Sequence, residues 1–541
     1  MGQPESRRVG SQAVIYGAGQ LLSRLVSFLL LPLYTRMLTP SDYGIVAMVG
    51  MVFEIVMLMA ANRIDAAVYR QYYQQPHDSD RRTLLSTAFL LVNLSYASLG
   101  LIVLVWADNL SSWVIESTDG ATLVRIAACA FMFQGSLIIP MAAYKLEEKP
   151  WHYLKTALGV QIFQALLNIL FLVFLHLGVR SIFLGTLISY SLWGTIVGAS
   201  LLIRIGRGFS RKAGRELLRF AFPLVSTSAA VLIMTTGGRY ALQHFGTLAD
   251  VGLFALAVTF GIVLVNIGNA PLMQAWEVAR FRLADRVDRD TLYSRAFVIL
   301  NISLFVVGTA IAMFVGDYVS IAASPSYAPV IRLVPFTLVA YLLQSWTMIL
   351  DTGALLKGNT SVIARSNWFA AMVSLLGYVT LVPRWSTYGA AATLLMAFGT
   401  RFFMVYMNSQ RINPIRYRWL PIAHLAIGAT VWILLSTLWD IAKPLCVLVF
   451  DYIPQRWDWD TSGLLAETLR GILMRCIQWG AVEHTNGLPW GQLHALLFHG
   501  IVYLGFIIWL WRSSILTEAD KNYARSALAT LSKRSWLQVP R

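Results

Sequence analysis

The sequence predicts an all-α, multi-pass membrane protein of about 14 transmembrane helices, arranged as two parallel six-helix lobes plus two C-terminal helices. Three observations support this fold class: an apolar composition, long apolar runs along the whole chain, and an internal duplication. Of the 541 residues, 57% are hydrophobic and 13% are charged, and the mean hydropathy is +0.61. In a soluble globular protein about a quarter of the residues are charged.

Apolar runs long enough to cross a bilayer, which takes roughly 20 residues in a helix, occur fourteen times. We number them spans 1 to 14, and they lie near 12–34, 43–62, 84–106, 121–143, 156–177, 181–203, 220–238, 250–273, 296–315, 331–350, 366–382, 387–407, 419–439 and 493–511.

The basic residues support this count of spans. If the N-terminus is cytoplasmic and the spans alternate in direction, 31 Lys and Arg residues fall on cytoplasmic segments and 9 on the opposite side. Such a bias is typical of cytoplasmic loops. We therefore expect both termini in the cytoplasm, no cleaved signal peptide, and a net charge of +16 that reflects topology and not nucleic-acid binding.

An internal duplication appears at an offset of 208 residues. The motif D-Y-G-I-V-A at 42–47 opens span 2, and D-V-G-L-F-A at 250–255 opens span 8. Because each copy has six spans, both copies have the same orientation, and substrate sites of such proteins lie between the repeats. The predicted organisation is listed in chain order: an N-terminal lobe 1–203, a cytoplasmic linker 204–219, a C-terminal lobe 220–410, and spans 13 and 14 in 411–541 with an outer-face loop near 440–492 and a cytoplasmic tail.

A resemblance to a known family rests on these motifs. The segment S-R-L-V-S-F-L-L-L-P-L-Y-T-R-M-L-T-P-S-D-Y-G (23–44) resembles the first-helix signature of the polysaccharide flippases, a branch of the multidrug, oligosaccharidyl-lipid and polysaccharide exporter superfamily. Further similarity lies in 250–257, in Y-K-L-E-E-K-P (144–150) and in L-L-K-G-N-T (355–360). The resemblance implies a transporter that carries polyprenyl-diphosphate-linked oligosaccharide across the bacterial inner membrane by alternating access, in polysaccharide or lipopolysaccharide biosynthesis.

Arg24 and Glu54 are the first candidate site residues. A charge in the hydrocarbon layer costs about 2.5–3.5 kcal/mol on insertion scales, so it marks a functional site by default. Arg24 and Glu54 both lie 11 residues from the outer ends of their spans, at roughly 16 Å depth, which predicts an ion pair. Gly17, Gln20, Arg24 and Ser27 form a polar stripe. We expect Arg24 to face a central cavity and bind a diphosphate, with Glu54 neutralising it when the site is empty.

Further polar residues complete the candidate site. Arg239 of span 7 either binds substrate or extends to the lipid headgroups. Asn266 and Asn269 of span 8 either hold helices together or hydrogen-bond sugar hydroxyls. Glu54 and Asp351 are the carboxylates to consider for ion coupling. Gln161, Gln164 and Asn168 share one face of span 5, where helix packing is the favoured interpretation.

Two alternative functions stay open from the sequence. A polysaccharide polymerase or O-antigen ligase also has many spans and a large outer loop, although the duplication argues against it. A cation-coupled drug antiporter of the same superfamily would favour acidic cavity residues, and Arg24 argues against it. No P-loop or zinc-protease motif is present, so we expect no catalysis, cofactor or metal.

The expected partners are lipid-linked oligosaccharide, membrane lipids and, through the outer-face loop, a polysaccharide polymerase or assembly protein. That loop contains Cys446 and Cys476, and whether they form a disulfide is left open.

Overall fold

The computed structural model describes residues 19, 22–60, 64–75, 77–115, 120–452 and 490–513, and within these ranges the chain is helical with no strand. The predicted all-α membrane fold is therefore confirmed. The helices are listed with their spans: 22–29 and Leu31–Met37 (span 1), Pro40–Met59 (2), Ile64–Tyr72, Asp78–Val105 (3), Ala107–Val114, Gly120–Leu146 (4), Pro150–Ile169 with the π-helix Leu170–Phe174 (5), Arg180–Ile205 (6), Arg211–Phe245 (7), Leu248–Leu264 with the π-helix Val265–Asn269 and the helix Ala270–Arg282 (8), Arg289–Ala322 (9), a 3₁₀-helix Pro325–Tyr327, Val330–Leu350 with Thr352–Leu356 (10), Thr360–Ile412 (11 and 12), Trp419–Tyr452 (13) and Trp490–Arg512 (14).

The count of membrane-crossing helices agrees approximately with the prediction of fourteen. Among the described residues, ten helices are long and apolar enough to cross a membrane, and a bent pair at Arg211–Phe222 and Val225–Phe245 makes an eleventh. One of the ten, Thr360–Ile412, contains 53 residues and turns at Ser386, whose φ of 44° and ψ of −122° are not helical. This turn separates spans 11 and 12.

The candidate membrane span Trp419–Leu438 agrees with the predicted span 13 at 419–439, but its helix continues further. Its helix runs to Tyr452, whereas the sequence placed the start of the outer-face loop near 440. The greater part of that loop, 453–489, lies outside the described residues. Cys476 lies in that part, so the question of a Cys446–Cys476 disulfide is outside the described residues as well.

Contacts divide the chain into two compact units. One comprises Met1–Arg289 and Ala322–Ile415, and the other comprises Asp290–Ile321 and Arg416–Arg541. Spans 9, 13 and 14 thus belong to the second unit. The lobe boundaries were inferred from the sequence repeat, whereas the two units are defined by contacts between residues. The lobe boundaries therefore stay a prediction.

The two copies of the duplicated motif have the same local structure. Thr39 caps the helix of span 2 and Thr247 caps that of span 8, each accepting the backbone N–H three residues on at 3.2 Å. In return Asp42 and Asp250 accept the cap residue's N–H at 3.0 Å. This reciprocal pair of bonds is a capping box, which satisfies donors that a helix start leaves unpaired.

Gly44 and Gly252 bring the outer ends of spans 2 and 8 into direct backbone contact ("outer" follows the predicted topology). A Cβ atom on Gly44 would lie 2.0 Å from the Leu248 carbonyl oxygen, and one on Gly252 would lie 1.9 Å from that of Pro40. No real Cβ atom approaches an oxygen so closely. Each glycine therefore permits the same close approach in its own copy of the motif.

The segment between spans 9 and 10 adds to this closure within the first unit. The Ser324 N–H donates to the Thr35 carbonyl at 3.1 Å, and the Tyr327 hydroxyl donates to the Leu38 carbonyl at 3.1 Å. Burial, together with the nearby Tyr43 and Asp42, raises the pKa of Tyr327. The hydroxyl therefore stays a neutral donor, and these bonds tie the end of span 1 to the segment before span 10.

In the second unit, His499 of span 14 and Asp317 of span 9 form a buried pair, with Nδ1 and Oδ2 2.6 Å apart. Replacing Asp317 with alanine is expected to lower the free energy of unfolding by about 1–3 kcal/mol, the cost of leaving a buried partner unsatisfied. The melting temperature of the purified protein measures this. Ser320→Ala, on the same helix but exposed, is the matched control, and equal melting temperatures for the two variants would contradict the prediction.

Candidate functional site

A cavity of about 300 Å³ lies between span 1, the start of span 2 and the middle of span 8, all within the first unit. Its lining is apolar with a few polar groups, which is typical of ligand sites. The lining residues are Arg24, Leu25, Ser27, Phe28, Leu31, Tyr34, Tyr43, Thr259, Ile262, Val263, Asn266 and Ile267.

Arg24 is the charged residue of this lining. It is exposed, and Ser27, Leu31 and Tyr34 follow it on the same face of span 1. The predicted polar stripe thus borders the cavity at Arg24 and Ser27, while Gly17 and Gln20 lie outside the described residues. A guanidinium group with free access to a cavity has donors available for a bidentate anion such as phosphate.

Glu54 contacts a different arginine from the one expected. Its Oε1 lies 3.2 Å from Nη1 of Arg239 in span 7, so the predicted Arg24–Glu54 pair is wrong. Side chains lean toward the N-terminus of their helix. In the predicted topology span 7 begins on the inner side and span 2 on the outer side, so these two side chains lean toward each other. Depth alone did not reveal which helix faces which.

Asn266 and Asn269 have separate environments. Asn266 lines the cavity, whereas Asn269 is fully buried, with its amide nitrogen 3.4 Å from the sulfur of Met348 in span 10. Both belong to the π-helix Val265–Asn269. A π-turn has more residues than an α-turn, so residues three apart no longer share a face. Asn269 therefore lies away from the cavity, and its contact is one between helices.

Amide side chains of span 5 hold the cavity-lining helix in place. Gln161 donates to the Ser27 hydroxyl at 3.0 Å, and Asn168 donates to the Tyr34 hydroxyl at 2.7 Å. Both pairs are 134 residues apart, so spans 1 and 5 run parallel in register. Asn168 itself is buried against Gly185 of span 6, where a Cβ would lie 2.0 Å from the Asn168 Oδ1. This ladder fixes the rotation of span 1 and hence the direction of Arg24.

Asp351 does not line the cavity. It accepts a hydrogen bond from Arg280 at 3.2 Å, and the charge of Arg401 acts on it as well. Arg280 is therefore a direct charged partner of Asp351, and a role of Asp351 in ion coupling stays a prediction.

Three hydroxyl groups of the cavity were not among the predicted site residues. They belong to Tyr34, Tyr43 and Thr259. Tyr34 and Tyr43 flank the turn between spans 1 and 2, inside the motif that carries the family resemblance. Their position in that motif was the signal that could have identified them.

Fold comparisons find that the chain has a fold similar to those of known α-helical membrane transporters. The structure of the lipid II flippase MurJ in an inward closed conformation covers 92% of this chain and 99% of its own, with a TM-score of 0.69 and 11% identity. An inward-facing multidrug resistance MATE family transporter of the MOP superfamily covers 77% of this chain and 95% of its own, with a TM-score of 0.55 and 14% identity. At these identities the likeness concerns the fold.

Sequence comparisons find one similar family over the N-terminal part of the chain. Residues 9–276 match the family model described as "Polysaccharide biosynthesis protein". A putative Lsg locus protein of Haemophilus influenzae is 23% identical over an alignment of 269 residues, and the match covers 48% of this chain and 62% of that protein. The aligned segment thus spans less than two thirds of that relative. Residues 9–276 are thus similar to the polysaccharide biosynthesis family, and the fold is similar to that of the lipid II flippase MurJ.

Proposed function

We propose that this protein translocates polyprenyl-diphosphate-linked oligosaccharide from the inner to the outer leaflet of the bacterial inner membrane by alternating access. The observation that carries the proposal is Arg24 on the wall of a cavity formed by spans of both repeats. A lipid diphosphate is an anion that must leave water to cross the membrane. An arginine in a partly apolar cavity replaces its lost hydration with charge-assisted hydrogen bonds.

The other polar groups of the cavity suit the sugar portion. Tyr34, Tyr43, Thr259 and Asn266 supply hydroxyl and amide groups that both donate and accept hydrogen bonds, as sugar hydroxyls do. The polyprenyl tail would stay in the surrounding lipid. Movement of spans 1 and 2 against spans 7 and 8 would separate Gly44 from Gly252 and open the cavity on the outer side.

The cavity composition also favours this proposal over the two alternatives. Its described lining has no His, Cys, Asp or Glu, which are the usual acids, bases and nucleophiles of a glycan polymerase or ligase. A drug antiporter that binds cations would gain nothing from Arg24, whose charge repels them. The proposal has three further parts. They are ion coupling through Glu54, a polymerase or assembly protein as partner, and an inner-membrane location with cytoplasmic termini.

Deletion of the gene in its native host tests the function. We expect lipid-linked oligosaccharide of normal composition to accumulate in the inner leaflet and surface polysaccharide to disappear, with both effects reversed by the intact chain. Extracted glycolipids are analysed by mass spectrometry, and leaflet location by access to a periodate or lectin probe. Accumulation in the outer leaflet of units that are not polymerised or ligated would contradict a flippase and support an enzyme.

A further inference from the structure

The duplication relates the cavity to a second location in the molecule. The offset of 208 residues superimposes the ends of spans 1 and 7, at Met37 and Phe245, and the starts of spans 2 and 8, at Pro40 and Leu248. The same offset relates Gly44 to Gly252, the two glycines at the backbone contact between spans 2 and 8. The offset can therefore be applied to the cavity lining itself.

Two residues of the cavity lining have, 208 positions away in the other repeat, the two residues of an ion pair as their counterparts. Leu31 of span 1 corresponds to Arg239 of span 7, and Ile262 of span 8 corresponds to Glu54 of span 2. Where the first location has a cavity between two aliphatic side chains, the second has Glu54 and Arg239 in contact at 3.2 Å. The hydroxyl of Ser27 also has a counterpart in Thr235.

The Arg239 guanidinium has bonding capacity that the ion pair does not use. Its side chain is 12% exposed, compared with 40% for Glu54. Among the described residues its Nε atom is buried without a hydrogen-bond partner. A guanidinium has five N–H donors, and a buried donor that is left unpaired costs free energy. Glu54 thus satisfies this arginine only in part, while a phosphate group, with several acceptor oxygens, would satisfy it better.

We propose that Arg239, with Thr235 beside it, is a second anion-binding subsite, which takes a phosphate group of the transported lipid after Glu54 releases the arginine. This inference rests on the proposed function and specifies a second station for the same substrate. While the outer ends are closed, Glu54 occupies the subsite and prevents the substrate from reaching it. When the repeats separate, the pair opens and the diphosphate replaces the carboxylate.

The depths of the two arginines give the order of use. Arg24 precedes the end of span 1 at Met37 by 13 residues, and Arg239 precedes the corresponding end of span 7 at Phe245 by 6. The difference of 7 residues is two helical turns, roughly 10 Å along the path. Both spans run in the same direction, so both side chains lean toward the same side of the membrane. The difference in depth between the two helix positions therefore also separates the two guanidinium groups. This step is longer than one diphosphate group, so the two arginines act in succession, Arg24 first and Arg239 nearer the outer side.

Binding of a polyprenyl diphosphate without sugars to the purified full-length protein tests the second subsite. Wild type is compared with Arg24→Ala, with Arg24→Ala/Glu54→Gln, and with that double variant carrying Arg239→Ala as well. We expect Arg24→Ala to weaken binding and the added Glu54→Gln to restore it by roughly tenfold or more, the effect of one charge-assisted hydrogen bond. The third substitution should remove the restored binding.

Two results would overturn the proposal, and they are distinguishable. If wild type binds and Arg24→Ala/Glu54→Gln binds no better than Arg24→Ala, the second subsite does not exist, although the proposed function stands. If correctly folded wild type binds no polyprenyl diphosphate, the proposed function fails and the subsite fails with it. Melting temperatures of all variants establish folding, and an Arg239→Lys version of the double variant, which keeps the charge but loses the planar fork, should bind with intermediate affinity.

Discussion

Replacing Arg24 with alanine is expected to abolish surface polysaccharide while the protein still inserts into the membrane at normal abundance. Arg24 lines the cavity and is exposed, so under the proposed function its removal leaves the diphosphate without its first charged partner. The loss of a hydrogen bond to a charged group costs about 1.5–3 kcal/mol in general, which reduces occupancy tenfold to more than a hundredfold. Arg24→Glu should be more severe, because it adds repulsion.

Matched variants separate this effect from a general loss of charge. Arg36→Ala removes an arginine from the same span outside the cavity lining and should leave export near normal. Arg24→Lys keeps the charge without the bidentate geometry and should retain part of the activity. Surface polysaccharide is quantified by gel analysis and immunodetection, and protein by immunoblot. Unimpaired export by Arg24→Ala would remove Arg24 from the site.

Replacing Gly44 with alanine is expected to prevent closure of the outer side. The added Cβ would lie 2.0 Å from the Leu248 carbonyl oxygen, which belongs to the backbone and cannot turn away like a flexible side chain. Spans 2 and 8 must therefore separate at this point. Gly252→Ala should act in the same way, since its Cβ would lie 1.9 Å from the Pro40 oxygen.

Labelling of a cavity residue from the outer side measures this opening. Thr259→Cys is introduced after the three native cysteines are replaced, and intact cells or spheroplasts are treated with a membrane-impermeant thiol reagent. We expect slow labelling with Gly44 in place and rapid labelling, together with loss of export, in Gly44→Ala. Gly50→Ala is the control on the same helix, because nothing lies within 4 Å of its Cβ position. Equal labelling of the two alanine variants would contradict the role of the glycine contact.

The fold could be predicted from the sequence because membrane spans and helix caps are local features. Apolar length marks a span, and Thr39 with Asp42 predicts a helix start by itself. The duplication extended this to the arrangement of the chain, since equal motifs at one offset form equal structures. The 53-residue helix that turns at Ser386 was correctly divided because its two apolar runs, 366–382 and 387–407, are separated by a short segment that contains Arg384.

The partners of individual side chains could not be predicted in the same way. Counting residues along span 2 predicts the depth of Glu54 but not the rotation of its helix. Residue counts therefore could not show that Glu54 contacts Arg239 and not Arg24. Asn266 and Asn269 would lie one turn apart in a regular α-helix, but the π-helix Val265–Asn269 gives them separate environments. The contact of His499 with Asp317 joins residues 182 positions apart, which local patterns do not relate.

Translocation in proteoliposomes tests the central claim most directly. The purified chain is reconstituted with a fluorescent polyprenyl-diphosphate oligosaccharide, and the fraction that becomes accessible to a membrane-impermeant quencher or glycosidase on the opposite side is followed over time. We predict protein-dependent translocation that Arg24→Ala abolishes and Arg36→Ala preserves, with the oligosaccharide chemically unchanged. Translocation at the rate of protein-free vesicles, or conversion of the substrate into a longer or transferred glycan, would contradict a flippase.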